Sequence, residues 1–215
     1  IKEVHYKSNH CYAWNNAIPK IEDTDIVEPK GLDKDEKFII SIGRPSYQKN
    51  PLLMVEIMKR VHQQHKDVKF YLLGVGFYSP MLEEMKALIE KYNLEEVIKL
   101  LPWANHKETL GYLKRSVMYL TTSLYEGLPI AVLEAMAMGK AIVASDVMGN
   151  RDCVKQGYNG YLLPMDADVF AECICKLIDE GASLGELGRN SIDYFYSDFY
   201  INSRIKDLED IYHKS

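Results

Sequence analysis

The chain has 215 residues, with 26 Lys and Arg against 31 Asp and Glu and a formal net charge of −5. A chain of this length holds one large α/β domain or two small ones, and it buries roughly 70% of its unfolded surface without disulfide staples. The acidic balance argues against nucleic acid or a polybasic membrane contact as partner, and no apolar run approaches the ~20 residues of a membrane span. Four cysteines, Cys11, Cys153, Cys173 and Cys175, show no Cys-x-x-Cys spacing, which reads as reduced thiols in a cytoplasmic protein. There is no signal peptide. The first residues, Ile-Lys-Glu-Val-His, lack an initiator Met, and the expectation is an excised domain.

Residues 1–35 have little periodicity, and Ile18-Pro19-Lys20 and Glu28-Pro29-Lys30-Gly31 read as an acidic, proline-punctuated linker. From Lys37 onward, strands alternate with helices, the pattern of a parallel sheet covered by helices. The expected order is strand Phe38–Gly43, helix Pro51–His65, strand Val68–Leu73, helix Met81–Tyr92 and strand Val97–Leu101, stopped by Pro102. Helix Lys107–Arg115 and strand Val117–Thr121 follow, then a helix opened by Pro129 and strand Ala141–Ser145. Met148-Gly149-Asn150-Arg151-Asp152 reads as a loop leading into a short turn, and Tyr158-Asn159-Gly160-Tyr161-Leu162-Leu163-Pro164 fits a turn and a short last strand. Helices Asp168–Glu180, Ser183–Tyr196 and Ile201–Tyr212 close the chain, the last with apolar Ile201, Ile205, Leu208 and Ile211. The fold class is therefore α/β, a doubly wound parallel sheet over residues 36–200 with a helical tail at 201–215.

The most informative stretch is Glu126-Gly127-Leu128-Pro129-Ile130-Ala131-Val132-Leu133-Glu134-Ala135-Met136-Ala137-Met138-Gly139. Pro129 suits a first helical position and Gly139 a left-handed C-terminal cap. The helix between them is apolar except for Glu134, so it is expected to be buried, and an ionised Glu134 there requires hydrogen-bond partners. Its carboxylate lies about 7 Å along the axis from Pro129, at about 1.5 Å per residue, and tilts back toward the helix start. The amides of that start form an anion site, and Gly127 lets a ligand approach the backbone. Bland readings exist for both acids: a structural hydrogen bond for Glu134, and a helix-dipole contact for Glu126. After the first strand, Gly43-Arg44-Pro45-Ser46-Tyr47-Gln48-Lys49-Asn50-Pro51 carries two cations just before a helix. Arg44 suits bidentate phosphate binding and Lys49 adds a point charge; otherwise they are solvated surface cations.

These residues resemble a known family. Gly43-Arg44 with Lys49, the frame Glu-Gly-Leu-Pro-Ile-x-x-Leu-Glu-Ala-Met-Ala and the downstream Gly-x-Asn-Gly-Tyr-Leu resemble retaining nucleotide-sugar glycosyltransferases of the GT-B architecture, family 4. The resemblance spans about 38–212, the nucleotide-binding C-terminal half. It implies that Arg44 and Lys49 hold the donor diphosphate and that Glu126 meets the transferred sugar near the reacting centre. Glu134 would bind the ribose hydroxyls, the backbone of Gly127, Leu128 and Ile130 would contact sugar and phosphate, and Leu101 and Trp103 would border the base. The implied partners are a nucleoside-diphosphate sugar and an acceptor sugar or lipid-linked glycan. No cofactor or metal is implied. Residues 1–35 would be the end of an N-terminal acceptor domain and its linker, and the last helix would dock on that domain, at most peripheral to the inner membrane face. Alternatives are a non-catalytic nucleotide-binding module and a nucleotide-sugar epimerase of the same architecture, separated from transfer by a donor-plus-acceptor assay.

Rival motifs are weaker. Gly74-x-Gly76-x-x-Ser79 follows the second strand rather than the first, and no acid ends the next strand, so it is a poor dinucleotide fingerprint. Asp23-Thr24-Asp25 has no preceding strand and reads as solvated acid rather than a metal pair. The six histidines, His62 and His65 among them, lack ligand spacing and are expected at the surface. The last helix, with the aromatic run Tyr194, Phe195, Tyr196, Phe199 and Tyr200 before it, reads as core or as a surface that docks on another domain, and docking is the favoured reading.

Overall fold

The computed structural model describes residues 16–76 and 78–214, without side-chain detail at positions 206, 207, 211, 213 and 214. Expectations for Cys11, for Phe77, for the Ile211 side chain and for the first fifteen residues lie outside the described residues. Six parallel strands form one sheet, with β1 at Lys37–Ile42, β2 at Val68–Val75, β3 at Ile98–Pro102, β4 at Met118–Thr121, β5 at Ala141–Ser145 and β6 at Gly160–Leu163. Their spatial order is β3-β2-β1-β4-β5-β6. The winding reverses between β1 and β4, and the crevice beyond their carboxyl ends is where such sheets receive ligands.

Side chains alternate across the sheet and build a core on each face. Ile39, Met118, Leu120 and Val143 point toward α1 (Pro51–Gln64), α2 (Leu82–Lys91) and α6 (Ala167–Asp179), in one cluster with Met58, Met85 and Phe170. Phe38, Ile40, Tyr119 and Ile142 point the other way, toward α3 (His106–Arg115), α4 (Ile130–Ala137), α5 (Met148–Cys153) and α7 (Gly181–Asp198). Helix α8 (Ile201–Lys214) ends the chain. No helix among the described residues is long and apolar enough to cross a membrane.

Several boundaries differ from those expected. β2 continues through Gly74 to Val75, and Pro102 is the last residue of β3 because an edge strand tolerates a missing donor. Pro129 is the N-cap of α4 rather than its first residue: its ψ of 111° is extended, and its carbonyl accepts from Val132 and Leu133 at 3.0 and 3.2 Å. Residues 148–153 are helical, not loop, because α5 buries Gly149, Asn150 and Cys153 against the sheet. His62 and His65 are half-buried rather than at the surface, and burial lowers the His62 pKa. Tyr194, Phe195 and Phe199 are at most 8% exposed, so these aromatics belong to this domain's core, whatever α8 meets. Ile18 runs alongside them, donating to Phe199 O and accepting from Ile201 N–H at 3.0 Å each. Cys153, Cys173 and Cys175 are free thiols, as expected.

The far end of α4 closes as the glycine implies. Gly139, at φ +68°, donates to Met136 O, and Lys140 donates to Ala135 O, both at 2.9 Å, the paired bonds of a Schellman cap. The Lys140 ammonium then donates to Lys114 O at 2.8 Å and Ser116 O at 2.7 Å, tying off α3. Burial pulls its pKa down from 10.5 to about 8. Above pH 8 the folded chain has released a proton that the unfolded chain keeps until about pH 10.5, so Lys140 adds stability as pH rises through that window. Denaturant midpoints at several pH values should show wild type gaining on K140Q between pH 8 and 10.5. A constant difference would contradict the assignment.

Candidate functional site

The site is assembled from two loops that cross the switch point. The β1–α1 loop carries Gly43 to Asn50 and the β4–α4 loop carries Thr122 to Pro129. Their backbones are stitched together: Leu124 N–H donates to Gln48 O at 2.8 Å, and the buried Thr122 hydroxyl donates to Lys49 O at 2.9 Å and Asn50 O at 3.1 Å. Gly43, at φ +140°, leaves room for the Lys49 chain, since a Cβ there would lie 3.2 Å from Lys49 Cε.

Side chains extend the stitching. Lys49 Nζ donates to Glu126 Oε1 at 2.6 Å, and the fully buried Ser123 hydroxyl donates to the same oxygen at 2.6 Å. Gln48 Nε2 donates to Glu126 Oε2 at 3.3 Å and to Tyr125 O at 3.1 Å. Glu126 is therefore a nearly enclosed carboxylate, 7% exposed, with donors on both oxygens. Ser123 is fixed in turn through Ser145, whose hydroxyl donates to Ser123 O at 2.6 Å, and Asn150 Nδ2 donates to Ser145 O at 2.9 Å. Gln48 and Ser123 escaped the sequence reading. Ser123 lies three residues before Glu126 on one loop, a local signal that could have found it, whereas Gln48 reaches Glu126 only through the sheet order.

Beside this knot the backbone presents free donors. The amides of Gly127, Leu128, Ile130 and Ala131 have no acceptor among the described residues, and the α4 dipole points the same way. Gly127 and Ile130 are exposed, and a cavity of about 290 Å³ opens there, bordered by Glu126, Leu128, Met148 and Asp152. The cavity floor depends on Gly149. A Cβ on Gly149 would sit 1.4 Å from Gly127 O and 2.7 Å from Glu126 O, so G149A forces α5 away from the loop. The expected cost is about 3 kcal/mol of stability, the upper range for overpacking, read as a lowered denaturant midpoint. A wild-type midpoint would show that α5 does not brace this loop.

The remaining expected residues fall around the same crevice without all touching. Glu134 is 13% exposed and its Oε1 lies 2.7 Å from His106 Nε2. Tyr119, buried on β4, feels both acids: burial, followed by Glu126 and Glu134, raises its pKa above the ordinary phenol value. Arg44 is exposed and does not join the Lys49 pair; its guanidinium lies 5.1 Å from the Tyr78 ring. Leu101 is half-buried near the end of β3, and Trp103 is 63% exposed over Gly76, where a Cβ would lie 2.5 Å from Trp103 Cδ1. Behind the site, burial pushes the Cys153 thiol up to about 12, which makes it a packing group rather than a nucleophile.

Comparison with known proteins gives this arrangement its context. The chain is 29% identical over 199 residues to the Escherichia coli UDP-Gal:alpha-D-GlcNAc-diphosphoundecaprenol alpha-1,3-galactosyltransferase, covering 90% of this chain and 50% of that protein. It is 26% identical to the putative colanic acid biosynthesis glycosyltransferase WcaL of E. coli K12, covering 79% of this chain and 44% of that protein. The chain thus spans about half the length of these curated relatives. Among solved structures, sucrose-phosphate synthase from Thermosynechococcus elongatus superposes with a TM-score of 0.80 at 20% identity, over 93% of this chain and 51% of that one. The pneumococcal O-GlcNAc transferase GtfA, in complex with UDP and GlcNAc, gives 0.74 at 21% identity, over 92% and 38%. Both share the fold, which corresponds to one Rossmann-like half of a GT-B enzyme. The family described as glycosyl transferases group 1 matches residues 22–194, which takes in the whole sheet and every site residue above. This chain belongs to the glycosyl transferases group 1 family.

Proposed function

We propose that this chain is the donor-binding half of a retaining glycosyltransferase that moves a hexose from a nucleoside diphosphate to an acceptor hydroxyl. The observation that carries the reading is that the amides of Gly127, Leu128, Ile130 and Ala131, beside the Lys49–Glu126 pair at the sheet's switch point, have no acceptor among the described residues. A diphosphate supplies the acceptors that those amides lack. In this reading Lys49 and Arg44 neutralise the departing diphosphate without metal, Glu126 meets the sugar, Glu134 the ribose, and Leu101 and Trp103 the base. Retention of configuration rests on the family resemblance. UDP appears in the names of the E. coli galactosyltransferase and the GtfA complex, so uridine is the first base to test. The name of the E. coli relative includes a lipid-linked sugar, GlcNAc-diphosphoundecaprenol, which supports a lipid-linked glycan or another sugar as acceptor here, and the setting we infer is polysaccharide or glycolipid assembly at the cytoplasmic face.

Magnitudes divide the labour. Two charge-assisted contacts at ~1.5–3 kcal/mol each and a helix end at ~1–2 kcal/mol give roughly 4–8 kcal/mol. Enzymes need about 8–23 kcal/mol, and oriented acceptors supply about 7–11. The remainder is assigned to the half of the curated relatives that this chain does not span, against which α8 would dock. Thermal unfolding with UDP, GDP and ADP tests donor binding. At a hundredfold excess over Kd, the matching nucleotide adds about 2.7 kcal/mol, a rise of roughly 5–10 °C for a domain this size. No shift with any of the three at millimolar concentration would remove the proposed function.

A further inference from the structure

Glu134 is gripped by a residue that none of the assignments above includes. His106 is the first residue of α3, and its Nε2 lies 2.7 Å from Glu134 Oε1. The two ends of that contact are unlike. The imidazole is 64% exposed and the carboxylate 13%, so a solvent-facing ring reaches over an enclosed acid. The root of the ring is fixed by the helix start: the Asn105 side chain accepts from Glu108 N–H, and Asn105 O accepts from the Thr109 hydroxyl, at 3.0 Å each. Among the described residues, His106 is the hydrogen-bond partner of Glu134, and it engages Oε1 alone. Oε2 remains for another donor.

A pair with one exposed member adds little to folded stability. Nor does packing call for an acid: Val132, Leu133, Ala135 and Met136 around Glu134 are all buried and apolar. The contact does restrict one thing, the rotation of the carboxylate plane about its last bond, which is otherwise broad. A vicinal diol needs two acceptor oxygens presented in one orientation. His106 also lies three residues after Trp103, where the loop that leaves β3 enters α3, so one segment carries both the exposed indole and the ring that holds Glu134.

We propose that His106 is a positioning residue of the donor site, turning the Glu134 carboxylate so that Oε2 and the free lone pair of Oε1 accept the two ribose hydroxyls of the nucleotide. This rests on the reading of Glu134 as the ribose contact. In this arrangement the carboxylate oxygen Oε1 accepts from the Nε2–H of the ring.

The test is a calorimetric titration of the chain with UDP, GDP and ADP, followed by the 2′-deoxy form of whichever binds most tightly. Wild type should prefer the ribonucleotide by about tenfold or more, the worth of a charge-assisted hydrogen bond. E134A should abolish the preference. H106A should cut it by about fivefold while leaving the affinity for the deoxy form within about twofold, a coupling that a merely structural contact does not produce. H106Q, whose amide can donate in place of Nε2, should restore most of it. If H106A keeps the wild-type preference, or weakens both nucleotides equally, while E134A abolishes the preference, His106 has no positioning role and the ribose reading stands. If E134A keeps the preference, or wild type binds none of the three, the ribose reading fails and the proposal with it.

Discussion

If the proposed function holds, replacing Lys49 with methionine should lower the affinity of this chain for UDP by about 100-fold, about 2.8 kcal/mol at 1.4 kcal/mol per decade. Two effects add. The variant loses a charge-assisted contact to phosphate, worth about 1.5–3 kcal/mol. It also leaves Glu126 without its cation, since Lys49 Nζ is 2.6 Å from Oε1 of a carboxylate only 7% exposed. An unneutralised acid then borders the amides that should receive the diphosphate. The same vacancy costs stability, by about 1–3 kcal/mol, because Ser123 and Gln48 remain as donors but a buried charge has lost its partner. Titration calorimetry and denaturant unfolding read the two effects separately. A variant that binds UDP like wild type would place the phosphates elsewhere.

Replacing Glu126 with glutamine should move binding and transfer in opposite directions. The amide keeps the shape of the side chain and its one oxygen can still accept from Ser123, but its NH2 replaces the oxygen that accepts from Gln48, it releases Lys49, and a negative charge beside the phosphate site is removed. UDP affinity should rise about three- to tenfold, the scale of one screened charge pair in a partly exposed crevice. Transfer to an acceptor, assayed with the acceptor-binding half that the proposed function requires, should fall more than about 100-fold, in line with losing one preorganised group at the reacting centre. K49M/E126Q should bind UDP more tightly than K49M alone, because the two side chains act as a unit. Tighter nucleotide binding with intact transfer would make Glu126 a partner of Lys49 and nothing more.

The sheet was legible because each strand is a short apolar run closed by Gly, Pro or a polar loop, and each covering helix shows an apolar stripe. Helix α4 was legible for a rarer reason, a single acid in an otherwise apolar helix with punctuation at both ends. Local composition misled at α5. Gly149, Asn150 and Asp152 are turn residues by propensity, yet the segment is helical because Gly149 lets it press against Gly127 O and Asn150 finds Ser145 O. Tertiary contact overrode propensity there. The aromatics before α8 carried no mark of their partners, because those lie far away in sequence, among them Met136, Cys153 and Ile18, the last more than 170 residues earlier. Lys49 and Glu126 were each legible as candidates from their loops. Their 2.6 Å pairing was not, since it depends on β1 and β4 being neighbours, and the same order brings Gln48 to Glu126. His106 was hidden in another way: 28 positions apart, it and Glu134 show no spacing that a motif could hold.

In the proposed function, the crevice between the β1 and β4 loops receives a nucleoside diphosphate. The most direct measurement follows backbone amide shifts in an isotope-labelled chain during titration with UDP. The largest changes are expected at Gly127, Leu128, Ile130, Ala131 and Lys49, with the Trp103 indole N–H moving in the same saturable step. Saturable changes confined to other surfaces, with those amides unmoved, would contradict the proposed function.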